Sequence, residues 1–427
     1  SSTDAILGEN RKEAEEKNAP LGFIQVRRSK DLVKWEFIGW AFPEIPHEAV
    51  EWVRSHADGK GATNIWAPYI IPFGDKYRLY YCVSAFGLKT SYIGLAESAS
   101  PEGPWMQRGC VVKTDATSVM NAIDPSIIAD SATGKWWMHY GSFFGGLYCV
   151  ELNPETGLPV QEGDQGHLIA RRATYWKDNL EAPEIIYNPE LKQYYLFVSY
   201  DPLMTTYNVR VGRSDKAEGP FVDYFGVELK DTTNNFPILT APYRFNNHPG
   251  WAGTAHCAVF TSDEGQYFMA HQGRLSPHNQ MMDIHLRQVF FTSDGWPVVS
   301  PERYTGSASR KFSAADIVGE WEIIRVQEPA YERQLQAGQI LWGEGQLKNE
   351  EWNVSCTLSL KKDGQLDENK GYWKFAERGQ LLSLTLNGEY VDNLLVFAGH
   401  DWENETETVL FTGLDSRGRS VWGKRTK

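Results

Sequence analysis

The chain has 427 residues, a formal net charge of −13, a pI near 5.3 and 13% aromatic residues, among them 16 Trp. This length allows two domains and a large core, and the acidic balance argues against nucleic acid or an anionic membrane as partner while suiting a neutral polysaccharide. No run of about 18 apolar residues is present, so no transmembrane helix is expected.

The opening, SSTDAILG, carries no signal peptide and suggests a removed leader or a piece of a longer chain. Residues 9–18 (ENRKEAEEKN) are charge-dense and read as a solvated loop or short helix. GFIQVRRSKDLVKWEFIG (Gly22–Gly39) predicts two strands around a Ser-x-Asp-Leu turn, and HEAVEWVRSH, within the connecting segment 44–62, predicts a short helix. Three segments then open alike, at NIWAPYII, AIDPSII and LEAPEII, with Pro68, Pro125 and Pro183 at their heads. Each runs into a strand that ends in Ser84, Ser142 or Ser199, which lie 16, 17 and 16 residues after those prolines. The turns PEGPW and AEGPF are a second echo, and a further unit spans about 252–302. Several strands repeating every ~55–60 residues are the signature of a β-propeller. The expected fold is all-β: a five-bladed propeller over 1–305, its first blade incomplete at the N-terminus, then a small antiparallel barrel or sandwich over 306–427. Strand-turn-strand spacing in CTLSLKKDG, GYWKFAE and LLSLTLNG predicts the latter, read as an accessory domain.

In a propeller the innermost strands of all blades meet around one axis. Asp124 and Glu181, at what read as equivalent places, are therefore expected to face one another across an axial pocket. Paired carboxylates are the equipment of an inverting glycosidase. The five cysteines show no metal-ligand spacing and mostly lie in apolar strand runs, so they read as buried free thiols.

The order and spacing of VRRSKDLVKWEFIG, ATNIWAP, RLYYCVSAFG, NAIDPSI, YGSFFGGLYCVELNPETGLP, EAPEIIY and YNVRVGRS resemble glycoside hydrolase family 43 over about residues 20–302, in particular its endo-α-1,5-L-arabinanases. The C-terminal segment resembles the accessory domain of some arabinanases. The resemblance implies a five-bladed propeller, inverting hydrolysis, and arabinan or arabino-oligosaccharides of the plant cell wall as partner. It also implies an extracellular, periplasmic or cell-surface location; the chain is read as a monomer. Residue by residue, it assigns Glu181 as general acid and Asp124 as the carboxylate that tunes and orients it. The family's general base, an Asp before proline in the first blade, has no counterpart in the chain; the repeat places it about 14 residues ahead of Ser1. Trp66, Asn121, Ser142, Phe143 and Arg210 are the expected substrate-binding residues. His256, in GTAHCAVF, matches a His that faces an axial calcium held mostly by water. Tyr69 stands where the family commonly has Asp, Ala255 where Gly is usual and Cys257 where Asn is usual. The alternatives are a non-hydrolytic carbohydrate-binding propeller, motivated by the missing base, or another family 43 specificity such as α-L-arabinofuranosidase or β-xylosidase.

Overall fold

The structure is a computed structural model that describes residues 23–173, 178–231, 234–277, 282–329, 347, 349–367, 371–386 and 388–426. The charged segment 9–18 lies outside the described residues. The chain divides into two compact units. The first is built mainly from Lys34–Ser199 and Gly212–Asn234, the second mainly from Tyr200–Val211 and Asn235–Lys427.

The first unit consists of propeller-type antiparallel sheets. β1 (Phe23–Arg28) pairs with β2 (Glu36–Phe42) around the expected turn, and a helix covers His47–His56 as the sequence predicts. The next sheet runs β3 (Trp66–Phe73), β4 (Lys76–Ser84), β5 (Ser91–Ser98), β6 (Met106–Thr114). The sheet after it runs β7 (Ser126–Ala129), β8 (Trp136–Tyr140), β9 (Leu147–Leu152), β10 (His167–Ala170). β11 (Leu180–Asn188) and β12 (Gln193–Tyr200) begin a further sheet. Middle strands are buried on both faces: β4 is covered from Arg78 to Ser84 and β8 along its whole length. Aromatic and β-branched side chains fit such doubly covered strands. One core cluster gathers Tyr80, Cys82, Ile93, Met138 and Tyr140 from adjacent sheets.

In the second unit, β13 (Asn208–Ser214) contributes its first residues, and Val209 pairs with Thr240 of β14 (Ile238–Thr240). β15 (Tyr243–Arg244), β16 (Trp251–Ala252), β17 (Ala258–Thr261), β18 (Tyr267–Leu275), β19 (Asp283–Phe291) and β20 (Pro297–Val299) form the last propeller-type sheet. β21 (Gly319–Arg325) then opens a second system, and β22 (Asn353–Val354) returns to pair in parallel with β15. β23 (Cys356–Leu360), β24 (Gly371–Ala376), β25 (Leu381–Leu386), β26 (Glu389–Asp401), β27 (Thr406–Leu414) and β28 (Ser420–Arg425) complete a seven-stranded sheet in the order β23-β21-β28-β27-β26-β25-β24. It curls into a half-barrel around Trp321, Leu358, Leu384, Val409 and Phe411.

All five cysteines are free, but only Cys82, Cys149 and Cys257 are buried. Cys110 is half-buried, and Cys356 is exposed because it heads β23, at the edge of the curled sheet.

Candidate active site

Three strand heads of the first unit share one backbone feature. The residue before each proline lies in the left-handed region: Ala67 at φ 27°, Asp124 at 58°, Ala182 at 56°. L-residues rarely adopt this conformation, and Asp tolerates it better than Ala. Such outliers persist only where the surroundings over-determine them, which is common at functional sites. They also fix the register of the repeat. Asp124 is the counterpart of Ala67 and Ala182, whereas Glu181 sits one residue earlier, level with Trp66 and Ile123. The two carboxylates are therefore not at equivalent places in the repeat. They are close neighbours: the Ala182 N–H donates to Asp124 Oδ2 at 3.2 Å.

Asp124 is only 6% exposed. Burial, reinforced by the nearby Glu181 charge, holds its carboxyl well above the usual carboxylate range. Asp124 therefore keeps its proton to higher pH than an isolated Asp would. The buried Cys82 thiol, also close to Asp124, is pushed up by burial and by that charge.

Glu181 is half-buried and receives a hydrogen bond from the Ser142 hydroxyl at its Oε2, 2.8 Å away. The loop after β8, GSFFGG, makes this contact possible. It runs antiparallel to the start of β11, with Ser142 bridged to Glu181 and the Phe143 N–H donating to the Leu180 carbonyl at 2.7 Å. Its other end is tied to the neighbouring head, because the Gly141 N–H donates to the Ile123 carbonyl at 2.8 Å. Gly141 has φ 129°, and a Cβ there would stand 2.6 Å from the Gly146 carbonyl oxygen, so only glycine closes this loop. Phe143 is half-buried with φ 53°.

Asn121 is 4% exposed, and its Oδ1 accepts from the Ser91 hydroxyl at 2.6 Å, which in turn meets the Ser84 hydroxyl at 2.7 Å. This buried relay braces the turn that presents Asp124, in which the Ile123 N–H donates to the Asn121 carbonyl at 3.0 Å. Trp66 is half-buried and meets the exposed Phe86 edge-on, with ring centroids 6.0 Å apart. Phe86 and Ser91 carried no signal in the sequence beyond their places at the strand ends. Asp124, Glu181, Ser142, Phe143, Asn121 and Trp66 all belong to the first unit.

Arg210 and His256 belong to the second unit. Arg210 is fully buried, donates to Asn208 Oδ1 at 2.8 Å and to the Asn235 carbonyl at 2.7 Å, and lies 5.2 Å from the ring centres of both Tyr200 and Phe236. Its remaining terminal nitrogen stands 4.0 Å from Glu328. His256 has φ 53°, the same backbone signature as Asp124, and burial holds its imidazole well below the usual range. It is therefore neutral near pH 7, the form that can ligate a metal. On the adjoining strand the Gln272 N–H donates to the Ala255 carbonyl at 3.3 Å.

Among the described residues, Glu302, Asp401 and Glu403 form a group that could hold a metal ion, with ligand oxygens within 4.8 Å of one another. The Lys424 ammonium already bonds all three, at 2.9 Å to Glu302, 2.9 Å to Asp401 and more closely to Glu403. Burial pushes the Glu302 carboxyl up to about 8 against the pull of Lys424. A metal ion would have to displace the lysine, so the donor set fits an ammonium better than calcium.

Comparison with known proteins agrees with this architecture. The family model described as glycosyl hydrolases family 43 matches residues 14–297, and one described as a C-terminal lipocalin-like domain matches 301–423. An extracellular endo-α-(1→5)-L-arabinanase of Thermotoga petrophila is 29% identical over 95% of this chain and 90% of its own length. An extracellular exo-α-(1→5)-L-arabinofuranosidase of Cellvibrio japonicus is 31% identical over 67% of this chain and 83% of its own. The crystal structure of the endo-1,5-α-L-arabinanase from Thermotoga petrophila superposes with a TM-score of 0.79 at 27% identity, covering 94% of each chain. Repeated strand heads, two neighbouring carboxylates and a matching family model across most of the propeller-type sheets lead to one assignment: the chain belongs to glycosyl hydrolases family 43.

Proposed function

We propose that the protein is an inverting glycoside hydrolase that cleaves α-1,5-linked L-arabinan, with residues 1–305 as the catalytic part and 306–427 as an accessory domain. The observation that carries this reading is the buried Asp124 carboxyl beside a half-buried Glu181 whose Oε2 is taken by Ser142. Glu181 is the general acid. The Ser142 hydroxyl bond to its Oε2 holds the carboxyl in place to give a proton to the departing glycosidic oxygen. Asp124 tunes and orients it: a buried neighbouring carboxyl makes loss of the pair's last proton harder, which keeps a proton available near neutral pH. Inversion also needs a carboxylate that activates water on the opposite face of the sugar, typically ~6.5–9.5 Å from the acid. The family resemblance implies that this base is an Asp before proline in the first blade.

Trp66, with Phe86 beside it, offers an aromatic wall for sugar stacking, and Ser142 and Phe143 line the acid. Endo action is the preferred reading, in keeping with the names of the Thermotoga petrophila and Bacillus subtilis relatives that align over 95% and 93% of this chain. These relatives are named as extracellular, which supports a secreted or surface location. A calcium near His256 would be held through a neutral imidazole and oxygen donors, and would brace the fold rather than react. The test is product analysis on debranched arabinan: mixed oligosaccharides early in the reaction support endo hydrolysis, arabinose alone supports exo action, and binding without turnover supports the non-hydrolytic alternative.

A further inference from the structure

One residue beyond each strand-head proline lies a second set of polar side chains: Tyr69, Ser126 and Glu184. Ser126 is wholly buried and Glu184 is 6% exposed. The Ser126 hydroxyl donates to Glu184 Oε2 at 2.9 Å, and its oxygen accepts the Ile185 N–H at 3.1 Å. The Tyr69 phenol also contacts Ser126, and burial together with the Glu184 charge pushes it up. Hence three successive strand heads meet at one hydroxyl.

The location of this clamp gives it consequence. β7 and β11 belong to different sheets, so no backbone ladder sets their spacing. Yet β7 begins two residues after Asp124, and Glu184 follows Glu181 by three. A rotation or slip of β11 against β7 would change the separation of the two carboxyls and strain the 3.2 Å bond from Ala182 to Asp124. Catalytic geometry tolerates little such slack; a misplacement of about 1 Å can cost about 100-fold in rate.

We infer that Ser126 and Glu184 are positioning residues that clamp β7 to β11 and thereby set the relative geometry of Asp124 and Glu181. The inference rests on the glycosidase reading above for its consequence, though not for its geometry. Neither side chain touches the sugar.

The test uses the full chain with Ser126→Ala, Glu184→Ala and Glu184→Gln. The glutamine keeps an acceptor for the Ser126 hydroxyl. On debranched arabinan, Ser126→Ala and Glu184→Ala are expected to lower kcat about 10- to 100-fold with KM little changed and the pH–rate profile displaced, while Glu184→Gln stays within about threefold of the parent. Folded variants with parental kcat and pH profile overturn the inference, as does a glutamine variant as impaired as the alanine. If the alanine variants fail to fold, Glu184→Asp, whose carboxylate is withdrawn by one methylene, replaces them: it must be slower than Glu184→Gln. Carbon-13 NMR titration of the Asp124 carboxyl gives a readout without turnover. Ser126→Ala must move its midpoint, and an unmoved midpoint overturns the clamp even in a protein that cleaves no arabinan. Conversely, an inactive parent with a moved midpoint rejects the arabinanase reading and leaves the clamp standing.

Discussion

Replacing Glu181 by glutamine separates acid catalysis from every other property of the site. The amide is nearly isosteric and still accepts the Ser142 hydroxyl bond, 2.8 Å long in the parent, so the loop 141–146 has no reason to move. What disappears is the transferable proton. General acid catalysis contributes about 10²–10⁴-fold, or about 3–5.5 kcal/mol of barrier at 1.36 kcal/mol per tenfold. That loss should fall on arabinan, whose leaving group is a sugar hydroxyl. It should largely vanish on a nitrophenyl arabinofuranoside, whose leaving group departs without a proton; there the decrease should stay below about tenfold. A second signature follows from Asp124. The Glu181 charge is one of the causes that raise the Asp124 carboxyl, and the substitution removes that repulsion at any pH where both would be charged. Since burial and Glu181 raise the Asp124 carboxyl above its unfolded value, its contribution to stability is present at low pH and lost as pH rises through the folded value. Glu181→Gln should therefore melt higher than the parent at pH 8 and no higher at pH 3. Equal losses on both substrates, or a melting difference independent of pH, would refute the assignment.

Asp124→Asn should likewise gain stability relative to the parent as pH rises, and it should move the alkaline limb of the pH–rate profile downward; an unchanged profile would reduce Asp124 to a turn residue. Lys424→Met would leave Glu302, Asp401 and Glu403 without their cation, a class of change that costs about 3–5 kcal/mol, and denaturant melts should show it; a loss below about 1 kcal/mol would mean the cluster is solvated. Because the Glu302 carboxyl is held at about 8, its stabilising share is lost as pH rises from about 4.5 towards 8, so Glu302→Gln should flatten the decline of melting temperature over that window; a parallel decline would contradict the shift. Chelation with EDTA should lower the melting temperature if His256 holds an ion, and His256→Ala should abolish that response; a chelator effect that survives the substitution would place the ion elsewhere.

Much of the architecture is legible in the chain because repeats advertise themselves. Proline heads, strand-final serines and the PEGPW and AEGPF echoes delimit the sheets, and the helix at His47–His56 follows its apolar spacing. The carboxylate geometry is less legible. Aligning Asp124 with Glu181 looks natural by eye, but the left-handed residues at 67, 124 and 182 show a one-residue offset, and one residue turns a side chain to the other face of a strand. Ser126 and Glu184 read as ordinary strand residues, since their bond joins different sheets. The Lys424 cluster is equally hidden: Glu302, Asp401, Glu403 and Lys424 each read as surface charges until the curled sheet gathers them. Cys356 reads as buried in sequence because edge and middle strands share a composition, and only pairing order tells them apart.

The central claim, that Glu181 gives a proton while neither it nor Asp124 attacks the sugar, is tested most directly by the stereochemistry of the first product. Proton NMR in the opening minutes of arabinan cleavage should show the β-anomer at the new reducing end, inverted from the substrate. An initial α-anomer would mean that a carboxylate forms a covalent glycosyl intermediate, and it would contradict the account.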